Sequence, residues 1–381
     1  MAKRASDSHC NVMRLWQTCR MDNRPPPSLR AHGLSRRTMM AGMGAALAST
    51  AGRAGAVAAF SPLTAMRALR LTGGPLAGAF TVASLGVVNW YFGNLGLLPF
   101  AARMPREVRG WLDLQLTRYD LARGVIMDVE PDYSADPVAP RIKRLIAPDS
   151  NDAYAATLLS LAARYDAVAG DGAWWPVHVA ALKRIADAGI RSLQKPTGLT
   201  RTFRDRARPG ADVAYLMDNC EVWSGLTAFA ARLGTHGDSD AAIYMRAAGR
   251  VAAGLAGLFL PAEAAFLPSD ADGGVGTSFY PDATAQVFAE LHGVTGPGLG
   301  QAQYDAGWAM LNRLAPRWPA LPYDAYPWLL LGTVAARRGA AGQRSARLQL
   351  AAARALYASN PARLTINELG YYQRTADSLR G

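Results

Sequence analysis

The chain is poor in cysteine and histidine for its 381 residues. Two of its three cysteines, Cys10 and Cys19, lie within the first 59 residues. Cys220 is therefore alone in the remainder, which excludes an intramolecular disulfide there, and its apolar neighbours indicate a buried, inert thiol. Three of the five histidines follow residue 59: His178, His236 and His292. No two of these are close in sequence, so we expect no histidine-based metal site and no cofactor.

The chain also has little concentrated charge outside its first 59 residues. The formal net charge is +12, of which residues 1–59 carry +7 and the remainder +5. Such a diffuse excess argues against nucleic acid as a partner. Long β-branched runs are scarce, alanine is abundant, and half of the residues are apolar, so the composition favours helix.

Residues 1–59 carry the features of an export leader. The pair Arg36-Arg37 is followed by a weakly apolar stretch, the basic residue Arg53 and small residues at 56–58. This segment resembles a twin-arginine signal, which implies a periplasmic or secreted protein that meets the membrane only during export. The alternative is a chance arginine pair in a basic tail.

Residues 75–101 contain no charged side chain, as a membrane span would require. Asn89, Asn94 and several glycines interrupt the stretch, so we predict a buried helix instead. A membrane anchor is the alternative.

Polar and aromatic clusters open five apolar segments, most of which precede a more amphipathic one. The clusters are 89–94, 149–154, 215–219, 280–282 and 323–326. The predicted helix pairs are 80–102 with 105–120, 151–169 with 174–194, 213–233 with 238–259, 282–293 with 299–315, and 323–338 with 341–358, followed by a last helix at 367–380. Short turns make the partners antiparallel, whereas the longer connections 121–148, 195–212 and 260–281 are loops typical of function. We expect 195–212 to include a short strand or an arm over the rim.

Repeated pairs of this kind predict an all-α protein in which apolar helices lie inside amphipathic ones, an (α/α)6 toroid of antiparallel helical hairpins. The predicted division is a leader at 1–59, a connecting segment at 60–84 and a barrel domain at 85–381.

The chain resembles the six-hairpin glycosidase superfamily, and within it the family-eight glycoside hydrolases, a bacterial cellulase and chitosanase group. The resemblance covers roughly 85–381 and depends mainly on residues 149–164, where Asp149 and Asp152 run into an Ala/Leu-rich helix. It implies an α/α barrel with a groove for polysaccharide. The family's general acid is a glutamate at the start of the first inner helix, but residues 88–94 here contain no carboxylate.

Glycoside hydrolysis needs a protonated acid and an ionised carboxylate, and six acids are candidates. They are Asp149, Asp152, Asp218, Glu221, Asp128 and Glu130. Asp149 or Asp152 is the predicted base, with helix capping as the alternative. Asp128 or Glu130 would replace the missing acid unless both are solvated loop charges. Asp218 and Glu221 lie on one helix face, either in the groove or paired with arginine.

Aromatic rings and amides beside these acids are expected to hold sugar rings and hydroxyls. The predicted substrate-binding residues are Asn89, Tyr91, Asn94, Tyr154, Tyr215, Asn219, Trp223, Tyr280, Asp282 and Tyr326. Asp282 has a helix cap as its alternative role.

The sequence thus predicts an exported glycoside hydrolase whose partner is a polysaccharide or oligosaccharide. One alternative is a non-catalytic carbohydrate-binding protein that assists exopolysaccharide synthesis or secretion, which the missing glutamate favours. A polysaccharide lyase is the other, and the basic arm formed by Arg201, Arg204, Arg206 and Arg208 favours it.

Overall fold

The computed structural model describes residues 60–381 except Asp171 and Pro209, and the predicted leader lies outside these residues. The described chain is mainly helical, which confirms the prediction from composition. Its helices are α1 (Pro62–Arg67), α2 (Trp90–Leu97), α3 (Pro105–Arg118), α4 (Asp152–Val168), α5 (Trp174–Gly189), α6 (Leu216–Thr235), α7 (Ala241–Ala256), α8 (Phe288–His292), α9 (Gln301–Leu314), α10 (Leu330–Ala335), α11 (Gly339–Ser359) and α12 (Ile366–Ser378). Two short antiparallel hairpins join them: β1 (Asp128–Asp132) with β2 (Arg141–Ile146), and β3 (Phe259–Leu260) with β4 (Ala265–Phe266).

The five predicted helix pairs correspond to α2 through α11, and the predicted last helix corresponds to α12. Three of the first partners, α2, α8 and α10, are shorter than expected. A π-turn at Phe279–Ala283 precedes α8, and α10 begins only after Pro327. Proline lacks an N–H and disfavours helical backbone at the residue before it, which explains why the helix does not start at 323.

The first partners and α12 contact one another in a fixed succession. Helix α4 packs between α2 and α6, α8 contacts α6 and α10, and α12 contacts α10 and α2. Four of the five second partners contact these helices: α3 and α5 contact α4, α7 contacts α6, and α11 contacts α10. Helix α1, which the sequence pattern did not predict, packs against α12. Nearly every side chain of α4 is buried, as expected for a helix covered on both sides.

The uncharged stretch at 75–101 forms the eight-residue helix α2 and short 3-10 turns around it. In the part of the chain that the structure describes, no helix has both the length and the apolar character needed to cross a membrane.

The long connections differ from one another. Residues 121–148 contain the β1–β2 hairpin, whose register pairs Asp128 with Ile146 and shifts between Glu130 and Pro131. In the 195–212 segment, Thr200 pairs with Gln194 as an isolated bridge and is fully buried. This segment is therefore packed against the helices at Thr200 instead of standing free as an arm.

Candidate functional site

The N-terminal ends of α2, α4 and α6 bring five carboxylates together. We call the group of Asp128, Asp149, Asp152, Asp218 and Glu221 the acidic basin. The Tyr91 hydroxyl of α2 donates to Glu221 Oε1 of α6 at 2.8 Å, and the Tyr154 hydroxyl of α4 donates to Asp128 Oδ2 at 2.7 Å. The negative charges of these acids also raise one another's pKa, as charges do only at short range.

Asp128 is anchored at the start of α2. Its buried carboxylate accepts hydrogen bonds from Asn89 Nδ2 at 2.6 Å, from the Tyr154 hydroxyl, and from the Trp90 backbone N–H at 3.1 Å. Asn89 also caps α2 by accepting from the Phe92 N–H at 2.8 Å. Burial raises the pKa of Asp128 well above its ordinary value, while the bonds from Tyr154, Trp90 and Asn89 lower it. Asp128 and Asn89 therefore hold β1, α2 and α4 in register.

Asp152 is fully buried at the start of α4 and holds the 195–212 segment. Its Oδ2 accepts from the Thr200 hydroxyl at 2.7 Å, and its Oδ1 accepts from the Ala153 N–H at 3.0 Å. Burial raises the pKa of Asp152 to about 7.

Asn219, predicted to bind substrate, is fully buried beside Asp152 and serves the same segment. Its Oδ1 accepts from the Thr200 N–H at 2.7 Å, and its Nδ2 donates to the carbonyls of Thr200 and Tyr215. Because both ends of the amide are used, Asn219 positions the loop and does not reach a ligand.

Asp218 and Asp149 are the two basin acids that are only half buried. Burial, followed by the charges of Asp152, Glu221 and Asp149, raises the pKa of Asp218 well above its ordinary value. Within the described residues no hydrogen bond to Asp218 lowers that pKa. Burial also raises the pKa of Asp149, but the Tyr154 hydroxyl and the Arg208 guanidinium lower it. The two carboxyls therefore lie in one basin and differ in their electrostatic surroundings.

Glu221 lies one turn beyond Asp218 on α6. It is 2% exposed, and its Oε2 atom is buried without a hydrogen-bond partner among the described residues. Burial raises the pKa of Glu221 well above its ordinary value, although the bond from Tyr91 lowers it. A carboxyl in such surroundings favours its protonated form.

Four predicted aromatic residues lie beside the half-buried acids. The Tyr91 ring stacks on Tyr154 with centroids 5.7 Å apart, and Tyr280 stacks on Trp328 at 5.0 Å. Burial and then the charges of Asp218 and Asp149 raise the pKa of Tyr280, which places its hydroxyl near both acids. Tyr215 is also half buried, and burial with the Asp218 charge raises its pKa to about 12.

The remaining predicted site residues do not join the basin. Glu130 forms ion pairs with Lys143, at 2.6 Å, and with Arg144 on the β1–β2 hairpin, so it cannot serve as the substitute acid. Asp282 accepts from the N–H groups of Gly276 and Ser278 and thus shapes its own loop, which is neither of the two roles expected.

Two further candidates are core residues, and a third faces elsewhere. Asn94 is 1% exposed and accepts from Trp111 Nε1 at 2.8 Å, and Tyr326 is buried against Asn367. Trp223 is half buried, two residues after Glu221 on the same helix. That spacing is about 200° around the axis, so Trp223 points away from the face that carries Glu221.

The sequence analysis did not identify Glu368 of α12 as a buried carboxyl. Glu368 is fully buried, accepts from the Leu329 N–H at 2.6 Å, and has its pKa raised by burial to about 7. In the sequence, Thr365 and Glu368 have the spacing of a capping box, a pattern that could have drawn attention to Glu368 at the start of a helix. Here, however, Glu368 turns to α10, while the Thr365 hydroxyl donates to Asn367 Oδ1 at 2.9 Å.

Among the described residues no group of three or more His, Cys, Asp or Glu side chains has a geometry suited to a metal ion. No protein-family model matches the chain, and no curated protein matches it. The chemistry of the acidic basin therefore provides the grounds for a function.

Proposed function

We propose that the described chain is an (α/α)6 toroid with α2, α4, α6, α8, α10 and α12 as its inner helices. The succession of helix contacts supports this arrangement, because it leads from α2 through the other five and back to α2. The packing of α3, α5, α7 and α11 outside that succession is what outer helices would provide. In this arrangement the acidic basin lies at one end of the ring.

We propose further that the basin binds a polysaccharide and hydrolyses its glycosidic bonds. The observation that carries this proposal is the pair Asp218 and Asp149, two half-buried carboxyls whose surroundings separate their pKa values. Two neighbouring acids with divergent pKa values are what acid and base catalysis require. Tyr280 offers a ring and a hydroxyl next to both.

The roles follow from the surroundings of each carboxyl. Asp218, which has no hydrogen-bond donor among the described residues and lies among other acids, is the protonated acid that gives its proton to the leaving glycosidic oxygen. Asp149, favoured in its ionised form by Arg208 and Tyr154, takes a proton from water. The water oxygen then bonds to the anomeric carbon as the bond to the leaving oxygen breaks. Burial and the negative charge of Asp149 hold the pKa of Asp218 high, and the Tyr91 hydroxyl holds Glu221 beside it.

The chain acts outside the cytoplasm in this proposal. Its grounds are Arg36-Arg37, the weakly apolar stretch after them and the small residues at 56–58.

A non-catalytic carbohydrate-binding protein is the second candidate, and one observation favours it. The start of α2 holds Asn89, a helix cap, where the resembled family has a catalytic glutamate, and Asp128 beside it is fixed by three donors. Neither is free to deliver a proton.

Cleavage assays on matched variants separate the candidates. The purified protein is incubated with β-glucan, chitosan and uronic-acid polymers, and new reducing ends are counted. We expect Asp218→Asn and Asp149→Asn each to lower the rate by about 10²–10⁴-fold while binding is kept, because each removes one proton-transfer group. Asp187→Asn is the control, since Asp187 lies on the outer helix α5 in an ion pair with Arg191.

The alternatives give different results. Binding without cleavage supports the non-catalytic candidate, and unsaturated products that absorb in the ultraviolet indicate a lyase. Cleavage that neither basin substitution reduces would overturn the assigned roles of Asp218 and Asp149.

A further inference from the structure

A cavity of about 270 Å³ lies beside Glu221, farther along the helices than the acidic basin. Its walls include Ser160 of α4, Ser224 of α6 and His292 at the end of α8. Arg374 of α12 and Arg337, just after α10, complete its polar lining. Its volume falls below the ~300–1,000 Å³ of pockets for drug-sized ligands, so it fits a small molecule.

The two arginines bring positive charge without a matching acid. Within the described residues no acidic side chain contributes to the pKa of Arg374, and its guanidinium lies over the Tyr371 ring at 5.5 Å. Burial and the positive charge of Arg337 lower the pKa of Arg374. Arg337 lies close enough to Glu290 to lower the pKa of that carboxyl. Glu290 is already bound by two nitrogens of Arg338, so it does not neutralise Arg337 as well. A desolvated guanidinium such as that of Arg374 is costly without a paired acid, and a bound anion would offset that cost.

The other polar groups of the cavity do not cancel this charge. His292 Nε2 is buried without a hydrogen-bond partner in the described part of the chain. Burial and the two arginines lower the pKa of His292 to about 3, so its imidazole is neutral and still has a nitrogen to offer a ligand. Glu221 has a raised pKa and thus favours its uncharged form.

We propose that this cavity is a binding site for a small oxyanion, separate from the Asp218 and Asp149 pair, held by Arg374 and Arg337 with His292 and Ser224 as hydrogen-bonding neighbours. Planar guanidinium groups match the oxygens of phosphate and carboxylate equally well. The oxyanion is either free phosphate or the carboxylate of a single sugar acid, whose hydroxyls would reach Ser160 and Glu221. The site does not depend on catalysis in the basin.

Ligand titrations at constant ionic strength test the site. Phosphate, glucuronate and neutral glucose are each titrated into the full chain, and binding is followed by calorimetry and by the shift in melting temperature. We expect saturable binding of phosphate, glucuronate or both, because either supplies the oxyanion. Tighter binding of glucuronate identifies a sugar acid, and tighter binding of phosphate identifies the free anion.

Charge-matched variants then locate the bound anion. Arg374→Gln and Arg337→Gln should each weaken binding by at least about tenfold, the effect of losing one charged hydrogen bond. Arg347→Gln is the control, because Arg347 is an exposed arginine of α11 outside the cavity. Arg337 is itself exposed, so its variant is expected to fold even if Arg374→Gln does not. Binding of neither anion, or equal loss in all three variants, would overturn the proposal.

Discussion

At the scale of single residues, the acidic basin is defined by how few positive charges offset its acids. Burial of a carboxylate is unfavourable unless hydrogen bonds or cations compensate for it. Asp128 and Asp152 receive such bonds, whereas the half-buried Asp218 receives none among the described residues. A group kept in an unfavourable environment is more useful for function than for stability, and for this reason we assign the acid role to Asp218.

Substitution of Glu368 tests how the raised pKa of a buried carboxyl affects stability, without changing any residue of the acidic basin. Its pKa is raised from 4.5 to about 7, so the folded chain keeps a proton that the unfolded chain loses as the pH passes 4.5. The contribution of Glu368 to stability is therefore complete below that pH, falls as the pH rises toward 7, and changes no further above it. Asp152, with its pKa of about 7, acts in the same direction.

We accordingly expect Glu368→Gln to gain stability relative to the parent chain as the pH rises from 5 to 8, by up to about 3 kcal/mol. The glutamine oxygen can still accept from the Leu329 N–H, so packing is preserved. Urea unfolding at a series of pH values measures this difference. Glu107→Gln, in a surface ion pair with Arg67, should parallel the parent chain. A difference between Glu368→Gln and its parent that does not vary with pH would contradict the prediction.

The sequence located most of the basin, because acids within apolar helical segments stand out. Asp218 and Glu221 were found in this way, whereas Asp149 and Asp152 were found because they precede and open an Ala/Leu-rich segment. Their separate roles were not predictable, since these depend on which oxygen meets Thr200, Tyr91 or Arg208 after folding. Asn219 looked like a sugar ligand for the same reason, although its amide is used entirely by neighbouring backbone and Thr200.

At the scale of elements, the close contact between α4 and α6 depends on a glycine. A methyl group at Gly225 would lie 2.4 Å from the Ala156 carbonyl oxygen of α4, which is part of the helix backbone and cannot move aside cheaply. The basin is built from the first turns of these same two helices, so their separation fixes the distance between Asp149 and Asp218.

Two alanine substitutions at helical glycines are expected to have opposite effects. Gly225→Ala should destabilise the chain by about 1–3 kcal/mol through overpacking. Gly249→Ala, in the outer helix α7, has nothing within 4 Å of the added methyl and should stabilise the chain by about 0.5–1 kcal/mol. Denaturant midpoints at unchanged slope give both values. Equal effects at the two glycines would show that α4 and α6 are not in tight contact.

The helices were predictable because an alanine- and leucine-rich pattern persists over many residues. The β1–β2 hairpin was not, since β2 is exposed along almost its whole length and shows no alternation of apolar and polar burial. Helix α1 is only six residues long and leaves no periodic pattern to detect. The late start of α10 is explained by Pro327, a local signal that the apolar run concealed.

At the scale of the whole molecule, α2 and α12 depend on each other although they are far apart in sequence. Helix α12 packs against both α2 and α10, and α1 packs against α12. The contacts around α2 are therefore completed only after α12 has been synthesised. Such long-range closure is consistent with an export route that accepts a protein already folded, the route that the paired arginines imply.

Replacing the arginine pair tests this route. We expect Arg36→Lys together with Arg37→Lys to leave folded protein in the cytoplasm, because lysine lacks the planar fork of guanidinium donors that a receptor for paired arginines would read. Cell fractionation of a twin-arginine-competent bacterium expressing the full chain measures the exported share, and protease resistance shows that the retained protein is folded. Arg14→Lys together with Arg20→Lys makes the same change outside the pair and should be exported like the parent. Undiminished export of the first variant would mean that the pair is a chance feature of a basic leader and that another signal directs export. Failure of the parent chain itself to be exported would move the proposed site of action into the cytoplasm.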